Sequence, residues 1–410
     1  MSKPLGVGII GAGTIFEQHA RALERLTDRA RLLAVSDVDE VSLRGATTRH
    51  FIPFAYRDYR ALLRRPDVEL VTVCTPPSTH EELVVAGLEA GKFVVCEKPL
   101  APTLEAADRI LETARRHPGK LSTVYQFRYL PEVRRAVWLR DHGRLGPLLF
   151  GQFSRYARFQ EPNKRPKPGK APKPAKRRSG WWGHWDVAGG GATMTQLIHE
   201  LDLMLYLFGP ATEVSAVLDT LKEPIESEDT CAATVRFKSG AMACCYGTVS
   251  AQRSSHSFDV IGATGSVHFP WSFQCTDSEQ RKQAIRDVLA MYPAEASAAS
   301  RPGLLRRALR SGMRAIAKQG PPETEPSEHT PYFDAVLGAI EMGKPLPVGP
   351  EEARASVELC VAIYSSALLS RPVPVPLDST ARFYRGITAR DYEGRKDERT
   401  QTASMLKVSR

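Results

Sequence analysis

The sequence predicts two units: an α/β unit with a parallel sheet, followed by an α+β unit built on a large, mainly antiparallel sheet. At 410 residues the chain exceeds the roughly 250–300 residues that a single core serves. Up to residue 127, short apolar runs alternate with amphipathic stretches, which is typical of a parallel sheet with helical crossovers. Beyond Gly146 the apolar runs become longer and alternate with polar residues, as in half-exposed antiparallel strands.

Charge and composition exclude several classes of protein. The net charge of +10 is concentrated in residues 164–178, which hold eight Lys or Arg, four Pro and no acid, so nucleic-acid binding is not expected. No apolar run approaches the roughly 18 residues of a membrane span, and Met1 leads straight into a strand without a signal-peptide core. Seven cysteines without a Cys-x-x-Cys pair indicate no metal site and favour a reducing cytoplasm.

The first motif is a glycine turn between a strand and a helix. The order is an apolar run Leu5–Ile10, the turn residues Gly11 and Gly13, and an amphipathic stretch Phe16–Leu26. Such a turn brings the backbone close to a pyrophosphate at the N-terminus of the helix. Phe16 replaces the third glycine of G-x-G-x-x-G, which implies either a shifted helix or a pocket for the ring.

An acid follows the second predicted strand, Arg31–Ser36. Asp37 lies 24 residues after Gly13. A carboxylate near this spacing binds the ribose hydroxyls of a dinucleotide and repels a 2′-phosphate, so NAD(H) is favoured over NADP(H). The alternative is a solvated acid after a strand.

Two further strands end in polar loops at the same edge of the sheet. Glu69–Cys74 leads into Thr75–His80, and Lys92–Cys96 leads into Glu97-Lys98-Pro99. Open α/β sheets bind their ligands at this edge. A partly desolvated Lys98 there could handle protons, because burial shifts the pKa of a lysine readily.

The other elements complete the two units. In the first unit they are a helix from Ser78 to about Ala90, a helix Leu104–Arg116 and a strand Leu121–Phe127. In the second they are strands Leu148–Phe159, Thr212–Thr220, Thr230–Lys238, Ala241–Ala251 and Ser257–Phe269, and helices near Ala192–Phe208, Pro331–Met342 and Pro350–Leu369. The last two helices are expected to pack back on the first unit.

The predicted domains are residues 1–127, residues 128–377 and a polar tail, 378–410. The second domain contains a basic insertion at 162–180 and a variable, weakly helical stretch at 277–328, interpreted as an insertion or a mobile arm. The tail is expected to be partly disordered or used in subunit contact.

One polar cluster stands out in the second unit. Gly189-Gly190-Gly191 precede a helix in which His199 and Asp202 share a face. The glycines let the backbone approach a ligand or the first unit. A single His on a helix is more often a satisfied core residue, so the argument for function is its combination with Lys98 and the glycine turn.

Taken in order, these motifs resemble the Gfo/Idh/MocA family of NAD(P)-dependent oxidoreductases. The resemblance is carried by Gly8–Gly13, Thr75–His80, Glu97–Pro99, Gly189–Asp202 and the segment from Tyr332 to Ser365. It covers about residues 5–377. It implies an N-terminal Rossmann domain and a C-terminal domain whose open-faced sheet forms the substrate pocket and a homodimer or homotetramer contact.

The resemblance also implies roles for individual residues. Lys98 and His199 match the catalytic Lys and His of the family. Thr195 stands where many sugar and inositol dehydrogenases have an Asp, which leaves the Lys/Asp/His triad incomplete. The residues expected to bind NAD are Gly11, Gly13, Thr14, Ile15, Asp37, Thr75, Pro76, Pro77, His80, Glu97, Lys98 and Gln126.

Contacts to the substrate are expected from Arg128, Tyr129, Trp182, Thr195 and His199. For Arg128 and Tyr129, a surface salt bridge is the alternative. Trp181, Trp182 and Trp185 either stack on sugar faces or fill a core or interface.

These residues predict hydride transfer between NAD(H) and a hydroxyl or keto carbon of a sugar, a sugar derivative (nucleotide-linked or acidic ones included) or a cyclitol. His199 would take the hydroxyl proton, and Lys98 would stabilise the negative charge that develops on the same oxygen. The basic segment is either a solvated loop or a collector of anionic substrate. Two other functions stay open: a non-catalytic NAD(P)-sensing regulator, and a glycosidase that uses bound NAD transiently.

Overall fold

Two sheets organise the chain. The computed structural model describes residues 3–159, 181–269, 272–275, 277–291 and 327–393. The strands of the first sheet are β1 Leu5–Ile10, β2 Ala30–Ser36, β3 Phe54–Tyr56, β4 Leu70–Val73, β5 Phe93–Cys96 and β6 Leu121–Thr123. They are parallel and lie in the order β3-β2-β1-β4-β5-β6. The order reverses between β1 and β4, where such sheets open a ligand crevice.

The helices between these strands were only partly predicted. They are α1 Phe16–Glu24, α2 Glu40–His50, α3 Tyr59–Leu63, α4 His80–Glu89 and α5 Leu104–Arg116, with a 3₁₀ turn at Pro77–Thr79. The sequence predicts α1, α4 and α5 but misses α2, β3 and α3. Helix α2 buries only Leu43 and Ala46, so it lacks the apolar stripe that makes a helix recognisable.

The predicted strand Leu121–Phe127 is wrong in its second half. Strand β6 ends at Thr123, and a 3₁₀ turn at Gln126–Tyr129 leads into helix α6, Pro131–Asp141, which was not predicted. Tyr125 and Phe127 are buried in the turn. The apolar run therefore continues past the end of the strand and imitates a longer one.

The second sheet has eight strands. They are β7 Leu148–Arg158, β8 Ala211–Asp219, β9 Thr230–Phe237, β10 Met242–Thr248, β11 Ser250–Gly262, β12 Gly265–His268, β13 Ser272–Cys275 and β14 Val373–Pro374. Their order is β13-β12-β11-β7-β10-β9-β8-β14. Only β7 and β10 pair in parallel, so the expectation of a mainly antiparallel sheet is confirmed.

Two predictions for the second unit need correction. The strand predicted over Ser257–Phe269 is two strands, β11 and β12, joined by a turn at Ala263 and Thr264. The start of the 277–328 stretch is not a mobile arm, because Ser278–Met291 forms helix α9, with Ala284 and Val288 buried. Residues 292–326 and the basic insertion at 162–180 lie outside the described residues.

The remaining helices connect the two sheets. They are α7 Trp185–Ala188, a π-helical turn Thr193–Leu197, α8 Ile198–Phe208, α10 Thr330–Glu341 and α11 Pro350–Leu369. Helix α11 packs on β8 of the second sheet and on α5 of the first unit, and α10 packs on α1. The prediction that the late helices return to the first unit is confirmed.

The first part of the predicted tail is ordered on the body of the molecule. Phe383 and Tyr392 are buried, and the hydroxyl of Tyr392 shares a hydrogen bond with Thr220 (2.8 Å). Residues 378–393 are therefore ordered, while residues 394–410 lie outside the described part, and a role of the tail in subunit contact stays a prediction. Among the described helices, none has the length and apolarity needed to cross a membrane. The domain boundary at residue 127 stays a prediction.

Candidate active site

A cavity of about 760 Å³ lies at the carboxyl ends of β1, β2, β4 and β5. Trp182 and Thr195 line it from the second unit. The cavity is therefore lined both by residues expected to bind NAD in the first unit and by residues expected to contact substrate in the second. Most of the residues expected at NAD also line it: Gly11, Gly13, Thr14, Ile15, Asp37, Thr75, Pro76, Pro77, Glu97 and Lys98.

The glycine turn leaves room for a phosphate-bearing ligand. Gly11 has a φ of 98°, and a Cβ there would lie 2.7 Å from the carbonyl oxygen of Cys74. A Cβ at Gly13 would meet no atom within 4 Å, so the turn is open on that side. Phe16 is fully buried and its ring meets His50 edge-on at 5.4 Å. The ring therefore has a pocket of its own and does not obstruct the turn.

Asp37 lies beside this turn at the end of β2. Its Oδ2 accepts a hydrogen bond from the Ala12 amide (2.6 Å), and its Oδ1 accepts one from the Asp39 amide (2.7 Å). These bonds fix the carboxylate in the cavity wall. Each oxygen has a second lone-pair site, which can accept a hydrogen bond from a ribose hydroxyl.

Lys98 reaches from the first unit to the second. Its Nζ donates a hydrogen bond to the carbonyl oxygen of Thr195 (2.6 Å). Burial lowers the pKa of Lys98 from 10.5 to about 8, although the charge of Glu97 opposes the shift. The side chain is therefore charged at neutral pH but gives up its proton far more readily than an exposed lysine.

Thr195 contributes its main chain rather than its side chain. Its hydroxyl donates to the carbonyl oxygen of Gly191 (2.6 Å), and only its own carbonyl contacts Lys98. Thr195 lies in the π-helical turn just before α8, and such turns are frequent at functional sites. A backbone carbonyl oxygen, and not a side-chain carboxylate, therefore accepts the hydrogen bond from Lys98 at this position.

Glu97 is held as a carboxylate behind Lys98. Nε2 of His19 lies 2.8 Å from its Oε1, and Nε2 of His329 lies 3.5 Å from the same oxygen. Burial would raise the pKa of Glu97, but these two histidines hold it well below 4.5. This cluster could not be predicted from the sequence, because its members are far apart along the chain.

His199 lies at the start of α8, fully covered by protein. It is 3% exposed, and its ring stacks on Phe127 with the centroids 4.4 Å apart. Burial, followed by the charges of Lys98 and Arg155, lowers the pKa of His199 well below 6.5. Its Nδ1 has no hydrogen-bond partner. His199 is therefore a neutral imidazole with one unpaired ring nitrogen, and it is not among the residues that line the cavity.

Two residues expected at the cofactor do not line the cavity. His80 is fully buried, and its ring nitrogens lie 2.8 Å from the Pro99 carbonyl and 2.9 Å from the Thr75 carbonyl. It therefore ties together two loops of the cavity wall. Gln126 is 8% exposed and also lies outside the lining.

Arg128 and Tyr129 line a separate groove and not the cavity of Lys98. Arg128 donates two hydrogen bonds of 2.7 Å to Asp202 and one of 2.6 Å to Glu352. This buried ion pair fixes the 3₁₀ turn to α8 and α11. Arg128 therefore has a structural role, and contact of Arg128 or Tyr129 with a substrate stays a prediction.

The three tryptophans separate into two roles. Trp181 and Trp182 line the cavity, and Trp181 is 41% exposed. Trp185 is buried, with its ring edge-on to Tyr364 at 5.1 Å. Only the first two are therefore placed to meet a ligand.

The triple glycine serves contacts within the protein. A Cβ at Gly189 would lie 2.4 Å from the carbonyl oxygen of Pro102, in the first unit. Beyond it, the carboxylate of Glu228 accepts hydrogen bonds from the amides of Gly191 (2.9 Å) and Thr193 (2.7 Å). These contacts fix the segment that carries Thr195 and His199 against the first unit.

Sequence reasoning missed three residues near Lys98 and His199: Phe127, Arg155 and Glu200. Phe127 was assigned to a strand. Arg155 occupies an inward position of β7, between Phe153 and Ala157, and a charge at such a position was a signal that could have been noticed. Glu200 has no comparable signal, since a charged residue beside His199 fits an ordinary helix.

These features together define the class: a nicotinamide-dependent oxidoreductase whose active site lies between a cofactor sheet and a second domain. The chain belongs to the Gfo/Idh/MocA family. Residues 5–125 match the oxidoreductase family with an NAD-binding Rossmann fold, and residues 133–268 match the GFO/IDH/MocA C-terminal domain. The family and the fold predicted from the sequence are confirmed.

Relatives named for a substrate include sugar and cyclitol dehydrogenases. The chain is 30% identical to myo-inositol 2-dehydrogenase of Thermotoga maritima over 64% of this chain and 74% of the relative. It is 26% identical to levoglucosan dehydrogenase of Pseudarthrobacter phenanthrenivorans over 65% and 73%. Among solved structures, the WlbA dehydrogenase of Chromobacterium violaceum with NADH and UDP-GlcNAcA is similar, with a TM-score of 0.71, 25% identity and coverage of 92% and 97%.

Proposed function

We propose that this protein is an NAD-dependent dehydrogenase or reductase that moves a hydride between NAD(H) and a hydroxyl or keto carbon of a sugar, sugar derivative or cyclitol. The observation that carries the proposal is the Lys98 ammonium, held by the Thr195 carbonyl in the wall of the cofactor cavity and within electrostatic reach of His199. The names of the inositol and levoglucosan dehydrogenases support the substrate class.

The cavity wall supplies the binding half of the mechanism. The glycine turn of Gly11 and Gly13 would hold the pyrophosphate of NAD(H), and Asp37 would accept hydrogen bonds from its adenosine ribose. Thr75 to Pro77 also line the cavity, next to Gly11. When bound there, the nicotinamide supplies the hydride acceptor or donor.

His199 and Lys98 supply the proton chemistry. His199 is neutral, so it can accept the proton of a substrate hydroxyl across the physiological pH range. Lys98, charged below about pH 8, stabilises the negative charge that develops on the same oxygen. In the reductive direction both roles reverse. Trp182, in the cavity wall, offers an apolar face to a sugar ring.

Assembly and location complete the proposal. The outer face of the second sheet exposes large apolar side chains, among them Val217 (59% exposed) and Met242 (45% exposed). A homodimer or homotetramer formed through this sheet would cover them. All seven cysteines are free thiols, which supports a cytoplasmic location.

Net NADH formation tests the proposed function. We expect NADH to accumulate, followed at 340 nm, when the protein and NAD⁺ meet at least one member of a panel of inositols, aldoses, uronic acids and nucleotide-linked sugars. A protein that binds NADH but forms none with any member would favour the regulatory alternative. Cleavage of a glycoside without net NADH would favour a glycosidase.

Cofactor preference tests the role of Asp37. The Asp37→Asn variant keeps an oxygen for the Ala12 amide but loses the charge that repels a 2′-phosphate. We expect kcat/KM for NAD⁺ to fall roughly tenfold and kcat/KM for NADP⁺ to rise. Asp39→Asn, two residues away and outside the cavity lining, is the matched control and should change neither. An unchanged preference in Asp37→Asn would remove Asp37 from cofactor selection.

A further inference from the structure

Arg155 is a charged residue at an inward position of the second sheet. Its neighbours on the same face of β7 are Phe153 and Ala157, both buried. Directly opposite on β11 lies His256. The guanidinium carbon lies 5.0 Å from the ring centroid of Phe127, the ring on which His199 stacks. Arg155 therefore belongs to the group of side chains around the proposed proton acceptor.

Within the described part of the chain, the charge of Arg155 has no partner. No carboxylate there lies within ion-pair distance of it, and its buried Nε makes no hydrogen bond. A guanidinium is charged at every physiological pH, and a half-buried one is normally paired. Leaving such donors unsatisfied is unfavourable, so the arrangement needs an explanation.

The surroundings of Arg155 are positive or neutral. Burial lowers the pKa of Lys98, His199 and His256, and the nearby charge of Arg155 lowers it in the same direction. Glu200 is an acid close enough for the charge of Arg155 to lower its pKa, but burial outweighs this effect and raises the pKa to about 8. Neither carboxyl oxygen of Glu200 has a hydrogen-bond partner. At neutral pH Glu200 is largely protonated and does not neutralise Arg155.

Unsatisfied groups thus cluster at one place: Nε of Arg155, Nδ1 of His199 and both oxygens of Glu200. Buried polar atoms in native proteins are generally hydrogen-bonded, and unpaired ones beside a reaction centre are available to polar groups of a ligand. A ligand that satisfies Arg155 must carry hydrogen-bond acceptors, because no carboxylate among the described residues pairs with this guanidinium. A carboxylate matches the planar fork of arginine with two parallel hydrogen bonds.

We infer that Arg155 binds a carboxylate on the substrate, so that the enzyme acts on acidic sugars such as uronic acids or their derivatives. This inference rests on the proposed function and narrows its substrate class. The carboxylate lies on the Arg155 side of the ring, and the reacting carbon lies between Lys98 and His199. The substrate's charge then compensates the excess of positive charge that Arg155 and Lys98 create.

Matched substrate pairs test the inference. Glucuronate with glucose, and galacturonate with galactose, differ only in the carboxylate, and glucose 6-phosphate offers a different anion. For the wild type we expect kcat/KM to be higher for the acid of each pair. Arg155→Gln should lower kcat/KM for the acid of each pair roughly ten- to hundredfold more than for its neutral partner, because the change of charge at the reaction centre affects both sugars of a pair alike.

Binding provides a readout that does not depend on turnover. Isothermal titration of glucuronate into the cofactor-free protein and into the NADH complex should show binding that weakens by a similar factor in Arg155→Gln. If the acids neither bind nor react better than their neutral partners, the inference is wrong while the proposed function stands. If no sugar reacts but glucuronate binds through Arg155, the proposed function fails instead. A preference for glucose 6-phosphate that depends on Arg155 would replace carboxylate by phosphate.

Three variants separate charge, geometry and folding. Arg158→Gln removes an exposed arginine from the same strand and should alter nothing. Arg155→Lys keeps the positive charge but loses the planar pair of donors that a guanidinium offers. Its kcat/KM for the acids should lie between that of the wild type and that of Arg155→Gln. Glu200→Gln keeps Glu200 neutral, so the preference for acids should persist at pH 7. Loss of that preference in Glu200→Gln would show that Arg155 serves Glu200 and not a substrate.

Discussion

Replacing Lys98 with methionine should lower kcat by about 10²–10⁴-fold while NADH binding changes little. Methionine preserves the length and apolar stem of the side chain but removes the charge that stabilises the substrate oxygen. It also removes the hydrogen bond to the Thr195 carbonyl. The measurement is steady-state turnover with the best substrate of the panel, alongside titration of NADH fluorescence.

The matched control is Lys92→Met. Lys92 precedes the same strand, and its Nζ donates to the Arg65 carbonyl (2.8 Å), at the opposite end of the strand from the cavity. Turnover by this variant should equal that of the wild type. If Lys98→Met retained turnover with NADH still bound, Lys98 would not be a catalytic residue.

The pH profile of the wild type reports the charge of Lys98. Because burial lowers its pKa to about 8, the ammonium is present below that pH and is lost above it. For alcohol oxidation, kcat/KM should therefore fall as pH rises through about 8, without a limb near 6.5, where His199 is already neutral. Glu200 also titrates near pH 8, so the limb must persist in Glu200→Gln. A rise through pH 8 would instead make neutral Lys98 the base.

Replacing Arg128 with methionine should destabilise the fold by about 3–5 kcal/mol. The Asp202 carboxylate is 1% exposed and receives two hydrogen bonds of 2.7 Å from Arg128. Without Arg128 a buried acid is left with one contact, the Ser356 hydroxyl at 3.2 Å. Urea denaturation of both proteins at pH 7 measures the difference in free energy of unfolding.

Two further variants check the cause of that loss. Arg115→Met removes an exposed arginine that lies 3.9 Å from exposed Glu351, and it should cost no more than about 1 kcal/mol. The double variant Arg128→Met, Asp202→Leu removes both charges and should recover much of the loss. If Arg128→Met were as mild as Arg115→Met, the pair would not hold the 3₁₀ turn to α8.

Local patterns predicted most of the fold and the cofactor half of the site. Strand ends, the glycine turn, Asp37 and Glu97-Lys98-Pro99 are readable because each depends on neighbours in the sequence. Short elements such as β3 and α3 bury too few residues to show a period. The apolar run from Leu121 to Phe127 was predicted to be one strand, because buried residues of a turn and of a strand give the same apolar pattern in the sequence.

Contacts between distant segments explain the errors in the substrate half. The partner of Arg128 is 74 residues away, so nothing local distinguishes a structural arginine from one that binds substrate. His19, Glu97 and His329 come together only in the folded chain, where α10 packs on α1. In the sequence, Thr195 only marks the absence of an expected Asp. The three-dimensional structure shows that its carbonyl oxygen accepts a hydrogen bond from Lys98.

Direct hydride transfer is the central claim, and an isotope label follows it. The panel sugar that forms NADH is prepared with deuterium on the oxidised carbon and given one turnover with NAD⁺. Mass spectrometry of the isolated cofactor should show one deuterium on the nicotinamide ring, and the oxidised sugar should have lost it. Unlabelled NADH, or deuterium returned to the sugar product without net NADH, would contradict the account.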